Sequence, residues 1–396
     1  MHRRLLTADE VFDGKQLWSR AVIVLDEQGY VESFIPHADA QQRRAAEYFS
    51  GLLCPGFINV HCHSELAYLK DQIPRGTGLV DFILTLMDIR HSAAFSAKTK
   101  FQAIARADEL MYQAGIVAVG DIVNTTDSLP VKQSTSLYYH HFVECMGVPD
   151  AIADARWEQA QQLLSQWTRQ TAFPASLTPH APYSVSDTLF QRLAHQSQTL
   201  ISFHNQESAA ENEWFLSGQG ELQRLYDALQ IAPHAAAACG TTSLQHVLPF
   251  FSRANQQVIL VHNTFTPATD IQWATQSFPG QLYWCLCPKA NLYIEQQLPP
   301  VEPLLAYAAD RIVIGTDSLA SNDSLSVLEE LKCLQQHFPF LALENLLRWA
   351  TWNGARALQC DSWLGSFTPG KKPGVVHISA IQDQRLTPAS QSQRIA

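Results

Sequence analysis

The sequence predicts an α/β protein built as a (β/α)8 TIM barrel, and three observations carry that prediction. Short apolar segments alternate eight times with longer amphipathic ones over about 300 residues, the rhythm of βα units around a parallel sheet. Histidines and an aspartate stand just past the ends of several of those apolar segments. The composition suits one large core: of 396 residues, 46% are hydrophobic and only 16% charged, against a usual charged share of about 25%.

Taken in order, residues 1–50 read as short strands. Val22-Ile23-Val24-Leu25 stops at Asp26-Glu27-Gln28-Gly29, and Tyr30 to Ile35 follows with partial alternation, which makes a hairpin. The eight strands of the central rhythm are expected near 53–60, 116–122, 138–145, 175–180, 200–204, 258–262, 282–287 and 311–316. Segments 98–114, 154–171, 186–199, 324–337 and 343–358 carry apolar residues at i, i+3 and i+4 and read as helices. Gly374 to Ser379 is a further apolar strand behind Pro369-Gly370-Lys371-Lys372-Pro373.

A doubly wound open sheet has the same local pattern. The positions of the polar residues favour closure. His61 and His63 follow the first central strand, His180 the fourth, His204 the fifth, His262 the sixth and Asp317 the eighth. A closed sheet brings such residues to one point, whereas an open sheet spreads them along an edge.

Composition also excludes classes of function. Lys plus Arg is 27 and Asp plus Glu is 37, a formal charge of −10. No basic stripe is available to displace counterions from a phosphate backbone, so a nucleic-acid partner is not expected. No window approaches the ~18 apolar residues of a membrane span. Met1-His2-Arg3-Arg4-Leu5-Leu6 is followed at once by Thr7-Ala8-Asp9-Glu10, which is too short an apolar stretch for a secretory signal. Eight cysteines lack any framework spacing, and Cys285-Leu286-Cys287 lies in an apolar run that reads as a buried strand. A reduced, cytoplasmic enzyme with a small-molecule substrate is the expectation, with oligomeric state left open.

His61-Cys62-His63 puts two imidazoles on one side of an extended segment. The pair reads either as two polar residues leaving a strand or as two ligands of one metal ion. His204 and Asp317 at other strand ends would complete three imidazoles and a carboxylate, a donor set that suits Zn²⁺ or Fe²⁺.

At this point the residues resemble a family. Pro55-Gly56-Phe57-Ile58-Asn59-Val60-His61-Cys62-His63 is similar to the opening motif of the amidohydrolase superfamily. Val261-His262-Asn263 and Gly315-Thr316-Asp317-Ser318-Leu319-Ala320-Ser321-Asn322 resemble its sixth- and eighth-strand motifs. Asn353-Gly354-Ala355-Arg356-Ala357-Leu358, Leu364-Gly365-Ser366-Phe367 and Pro369-Gly370-Lys371 resemble its closing segment. The resemblance implies a metal-bearing barrel over 53–361 and a small β-sandwich from both chain termini, 1–52 and 362–396.

Within the superfamily, many members hold two metals bridged by a carboxylated lysine after the fourth strand. Ala175 to Tyr183 contains no lysine, so the resemblance implies one divalent ion held by His61, His63, His204 and Asp317, Zn²⁺ or Fe²⁺. Glu144, ending the third strand, is either a second ligand source or a structural carboxylate. His204-Asn205-Gln206-Glu207 fits the HxxE pattern of the base and nucleoside deaminases. There Glu207 would carry a proton from the activated water to the ring nitrogen under attack, the alternative being a glutamate favoured by a helix N-terminus. By the same resemblance His262 orients the hydroxide, Asp317 accepts a proton besides ligating the metal, and His180 contacts the substrate ring. The P-C-x-x-C motif of the other zinc-deaminase class is absent.

Glu65-Leu66 and the run from Arg75-Gly76-Thr77-Gly78 to Phe82 resemble the branch that includes 6-amino-6-deoxyfutalosine deaminases. Ser64 and Ala67-Tyr68 depart from that branch's pattern. Glu65 would bind a ribose hydroxyl or salt-bridge Lys70, and Arg75 would meet a substrate carboxylate or stand as a solvated loop arginine. The expected activity is deamination of an aminated purine-like ring on an adenine-bearing nucleoside such as aminodeoxyfutalosine. Hydrolysis of a cyclic amide or amidine, displacement of a ring halide, and an inactive barrel that only binds are the alternatives.

Overall fold

The computed structural model describes residues 3–91 and 94–396. The amino-terminal segment forms β1 (Arg4–Phe12), β2 (Leu17–Trp18), β3 (Val22–Leu25), β4 (Val31–Ile35) and β5 (Glu47–Pro55). The hairpin read from the sequence is β3–β4, paired antiparallel from Val22–Ile35 to Leu25–Val31. The carboxy-terminal strands β14 (Val375–Ile378) and β15 (Ser392–Arg394) join the same seven-stranded sheet, in the order β15-β14-β5-β1-β3-β4 with β2 on β1. Both ends of the chain therefore share one sheet.

The central rhythm is β6 (Phe57–Cys62), β7 (Ile116–Val123), β8 (Tyr138–Cys145), β9 (Ala175–Pro179), β10 (Leu200–Asn205), β11 (Gln257–His262), β12 (Gln281–Leu286) and β13 (Ile312–Ile314). They form two parallel four-stranded sheets, β6-β7-β8-β9 and β10-β11-β12-β13. Backbone bonds run between the sheets at both junctions. His204 N–H donates to His180 O at 2.9 Å, and Thr316 N–H donates to His61 O at 3.0 Å.

These strands are buried on both faces, as parallel strands covered by helices are. Val258 and Leu260 belong to a core shared with Ile271 and Ala274 of the helix Ala268–Ser277. Ile259 and Val261, one residue out of phase, belong to a second core with Ile58, Val60, Tyr283, Cys285 and Val313.

Two departures from the sequence reading have clear causes. The expected strand 53–60 is two strands, broken at Gly56. A Cβ on Gly56 would lie 2.2 Å from Val117 Cγ1 and 2.6 Å from Pro373 O, so only glycine lets the chain turn there from the terminal sheet into β6. The expected helix 343–358 is helical at Leu343–Arg348 and Gly354–Ala357 but takes π geometry over Trp349–Asn353. The Asn353 amide in that bulge donates to Ile312 O at 2.9 Å, tying the bulge to β13. Smaller differences are the helix from Asp187, which ends at His195, and Cys287, which is buried but lies just past β12. Among the described residues no helix is long and apolar enough to cross a membrane.

Candidate active site

His61 lies near the end of β6 and His63 one residue beyond it, with ring centroids 4.9 Å apart. His204, near the end of β10, brings its Nε2 within 3.2 Å of His63 Nε2. Asp317 Oδ1 stands 3.5 Å from the Nε2 atoms of both His61 and His63. One ligand atom from each of the four residues falls within 4.8 Å of the others. Close approach is allowed by Gly315, where a Cβ would lie 2.8 Å from His61 Cβ and 2.9 Å from the sulfurs of Cys285 and Cys287.

These donors fit a divalent ion. His204 Nδ1 donates to His180 O at 2.8 Å, so its lone pair is on Nε2, facing His63. His61 is buried with no hydrogen-bond partner on either nitrogen, a burden of about 1–3 kcal/mol unless a cation takes the lone pair. Burial and neighbouring imidazoles hold His63 and His204 well below the usual histidine range, hence neutral and ready to ligate. Burial alone would raise the Asp317 carboxyl, but the imidazoles of His61, His63 and His262 hold it well below the carboxylate range. Its Oδ2 accepts from the Ser321 hydroxyl.

The backbone at these strand ends is unusual. Gln206 (φ 46°), His262 (φ 73°), Asn263 (φ 59°) and Asp317 (φ 57°) are all left-handed without being glycine. Such strain persists only where the surroundings enforce it, and it gathers at functional sites. After Gln206 the chain is pinned by Glu211, whose Oε1 accepts from Gln206 N–H at 3.0 Å and from the Ser243 hydroxyl at 2.5 Å. This turn delivers Glu207, which precedes the helix Ala209–Ser217 rather than lying in it. Glu207 Oε1 is 3.6 Å from His262 Nε2, and His262 Nδ1 is 3.3 Å from Asn291 Oδ1. Burial, with Asp317, Glu295 and Glu211 nearby, pushes the Glu207 carboxyl well above its ordinary range. His262 is pushed down to about 4 by burial.

The surrounding wall differs from expectation in places. His180 Nδ1 is 2.6 Å from Ser184 Oγ, which leaves Nε2 for another partner, and burial takes the ring down to about 4. Glu65 does not pair with Lys70. Its carboxylate accepts from the N–H groups of Asn124 (3.1 Å) and Thr125 (3.2 Å), and burial raises it to about 7. Those backbone donors are more than fifty residues away in sequence and give no local signal. Arg75 pairs with the Asp323 carboxylate and lies over the Tyr293 ring at 4.6 Å, with its side chain largely exposed.

Glu144 takes a hydrogen bond from the Asn124 amide at 2.9 Å, stands 3.7 Å from His204 Nδ1, and is raised by burial to about 8. Glu144, His180 and His204 do form a second cluster of metal-ligating types. However, a neutral imidazole has one lone pair, and that of His204 faces His63. The sequence reading passed over Arg90, whose positive charge acts on Glu65, Glu144 and His180. It also passed over Asn291 and Glu211, whose roles depend on partners in distant segments.

The chain is 26% identical over 324 residues to an adenosine deaminase of Helicobacter pylori, covering 80% of this chain and 77% of that protein. It is 28% identical over 293 residues to an aminodeoxyfutalosine deaminase of Nitratiruptor, covering 72% and 67%. The crystal structure of Helicobacter pylori aminofutalosine deaminase in complex with methylthio-coformycin superposes with a TM-score of 0.77 at 21% identity, covering 94% of this chain and 91% of that one. The model of the amidohydrolase family matches residues 52–389. That match spans most of the chain and includes His61, His63, His204 and Asp317, and the chain belongs to the amidohydrolase family.

Proposed function

We propose that this protein is a metal-dependent aminohydrolase that removes the amino group from an aminated purine-like ring, with an adenine-bearing nucleoside such as aminodeoxyfutalosine preferred. The observation that carries the reading is Glu207: a buried carboxyl 3.6 Å from His262 Nε2 and beside the His61–His63–His204–Asp317 cluster, with a proton affinity raised by its surroundings. The names of the relatives support the same chemistry. The eight central strands are taken to close into a barrel over 53–361, with 1–52 and 362–396 as a small companion sandwich. Eight free cysteines, most of them buried, fit a reducing compartment such as the cytoplasm.

His61, His63, His204 and Asp317 would hold one divalent ion, Zn²⁺ or Fe²⁺, since His204 has only one lone pair to give. When bound, the ion supplies Lewis acidity that eases removal of a proton from water. Glu207 carries that proton to the ring nitrogen beside the amino-bearing carbon, so that the carbon accepts oxygen and ammonia can leave. His262, neutral and steadied by Asn291, orients the water. Asp317 Oδ2, restrained by Ser321, can hold a proton in transit. His180, neutral at Nε2, contacts the ring. Arg90, whose charge reaches Glu65, Glu144 and His180, would meet an anionic substituent of the substrate, a role for which Arg75 is already engaged with Asp323.

The test is a mass-spectrometric screen of amino-purines and amino-pyrimidines for the replacement of NH by O. It is followed by kcat/KM for adenine, adenosine, aminodeoxyfutalosine, cytosine and guanine on one metallated preparation. Free adenine should be a poor substrate and a 6-aminopurine nucleoside with a large 5′ group a good one, because remote binding energy can raise the chemical rate. Preference for cytosine or guanine would overturn the nucleoside assignment. Absence of ammonia from every ring would overturn the deaminase reading in favour of cyclic-amide hydrolysis.

A further inference from the structure

Behind the histidine cluster lies a second set of ionic groups with no direct contact to any ligand nitrogen. Asp121, near the end of β7, is fully buried. It pairs in register with Cys62, the residue between the two ligand histidines. Its Oδ1 accepts from Ser64 N–H at 3.0 Å and its Oδ2 from the Ser64 hydroxyl at 2.9 Å. Ser64 follows His63 directly, where β6 gives way to the 3-10 turn Ser64–Leu69. Both donors of that one residue thus end on one carboxylate carried by the neighbouring strand.

The carboxylate is itself fixed. Lys132 Nζ lies 3.5 Å from Asp121 Oδ2, 3.8 Å from Asp108 Oδ1 and 3.6 Å from the centre of the Tyr139 ring. Lys132 is 2% exposed, a rare position for lysine. Asp108 is anchored in turn by the Tyr139 hydroxyl at 2.6 Å and the Thr135 hydroxyl at 2.8 Å. Buried ion pairs of this kind add little stability over apolar side chains of the same volume; their best-attested use is to fix a particular arrangement. What this one fixes is the backbone immediately after His63.

We propose that Asp121 is a positioning residue for the metal centre: locked by buried Lys132, it clamps Ser64 through two hydrogen bonds and so sets where His63 stands relative to His61, His204 and Asp317. The proposal rests on the reading of those four residues as the metal site. Without the clamp the turn at 63–64 has more freedom, and the His63 imidazole must be ordered each time an ion binds.

The test measures Zn²⁺ affinity of chelator-stripped protein by competition with a chromophoric chelator, alongside the Tm of the metal-free and metal-loaded forms. Two variants release the clamp. Ser64→Ala removes one of its two bonds and changes volume little. The double variant Asp121→Leu with Lys132→Met removes the carboxylate that accepts both Ser64 bonds together with its lysine, while Asp108 keeps the Tyr139 and Thr135 hydroxyls. Thr135→Val is the control, loosening Asp108 on the side away from Ser64. Both clamp variants should lose about 10–100-fold in Zn²⁺ affinity, the scale seen when groups supporting a ligand are removed, and the double variant should lose more than Ser64→Ala. The control should bind as the unaltered protein does. The proposal is overturned if the clamp variants bind Zn²⁺ as well as the control while Tm falls equally with and without metal, since the cluster would then be structural only. Should the double variant not fold, Ser64→Ala alone decides. Failure of the unaltered protein to bind Zn²⁺ at all would instead overturn the four-residue site.

Discussion

Two pairs of histidines in this protein sit in one sheet, on strands separated by β7, and have different surroundings. His61 and His63 are two residues apart at the mouth of β6; His140 and His141 are adjacent in the middle of β8. Both pairs are mostly or fully buried. The even spacing sends the first two rings to the same side, where they meet His204 and Asp317. The odd spacing sends the second two to opposite sides. His140 Nε2 is 3.0 Å from Ser176 Oγ, with its ring 4.6 Å from that of Phe142. His141 lies 4.2 Å from the Trp167 ring and stacks on Tyr139. His141 also lacks hydrogen-bond partners on both nitrogens, just as His61 does. An unpartnered buried imidazole is therefore not enough to mark a metal site. Convergence of further donors is what separates the two pairs.

That contrast can be broken or sharpened by measurement. The largest effect belongs to the group that serves the first pair. Glu207→Gln keeps size and polarity but cannot carry a proton, so turnover should fall by about 10²–10⁴-fold while bound metal stays near one equivalent. Retained turnover with lowered Tm would make Glu207 a structural carboxylate. Next, His63→Ala should abolish stoichiometric metal uptake and the metal-induced rise in Tm, whereas His141→Phe, which preserves ring stacking, should keep both. Elemental analysis after gel filtration reads the difference, and loss of metal from both variants would erase the distinction.

The second pair has a pH signature of its own. Burial takes His140 down to about 4 in the folded protein, while in the unfolded chain it titrates near its ordinary value. The unfolded state therefore binds more protons between roughly pH 6.5 and 4. Stability is at full strength above that window and is lost as pH falls through it, by about 3 kcal/mol at most. In urea titrations His140→Gln should flatten this acid-side slope relative to the unaltered protein, and an unchanged slope would refute the assignment. The smallest effects concern the wall. Glu65→Gln should cost about 1 kcal/mol or less, since one amide oxygen can still accept from the N–H groups of both Asn124 and Thr125, and Arg75→Ala a similar amount as an exposed pair. Neither should change KM for a nucleoside carrying an anionic substituent as much as Arg90→Gln does. A large rise in KM for Glu65→Gln at unaltered Tm would return Glu65 to the substrate.

The clustered residues were legible because strand periodicity and strand ends are local properties: His61, His63, His204 and His262 stand at or just past the end of a strand, and Asp317 three residues past one. Tyr138–Cys145 matched its expected span for the same reason. The helices Ser243–Val247 and Pro288–Ile294 are too short to show a period, and the π bulge at Trp349–Asn353 is imposed by contact with β13. The wall resisted reading because its partners are remote. Glu65 is fixed by residues 124 and 125, Arg75 by Asp323 and His262 by Asn291, and none of these pairings has a spacing that sequence could reveal.

The turn at Gly56 also bears on how the molecule comes into being. β5 runs through this one residue into the strand that ends at His61 and Cys62, and β5 is flanked on one side by β1 and on the other by β14. The first flank is made before β6 leaves the ribosome. The second, Val375–Ile378, is made about 320 residues after Pro55, the end of β5. At ~5–20 residues per second, β5 waits on the order of tens of seconds for β14. During translation the sheet that anchors β6 through Gly56 is thus half-built, while residues 204 and 317 have already been made. The last support for β6 therefore arrives after all four clustered side chains have been made, and a nascent chain stalled before residue 375 should be cut by protease in β5 more readily than the released chain.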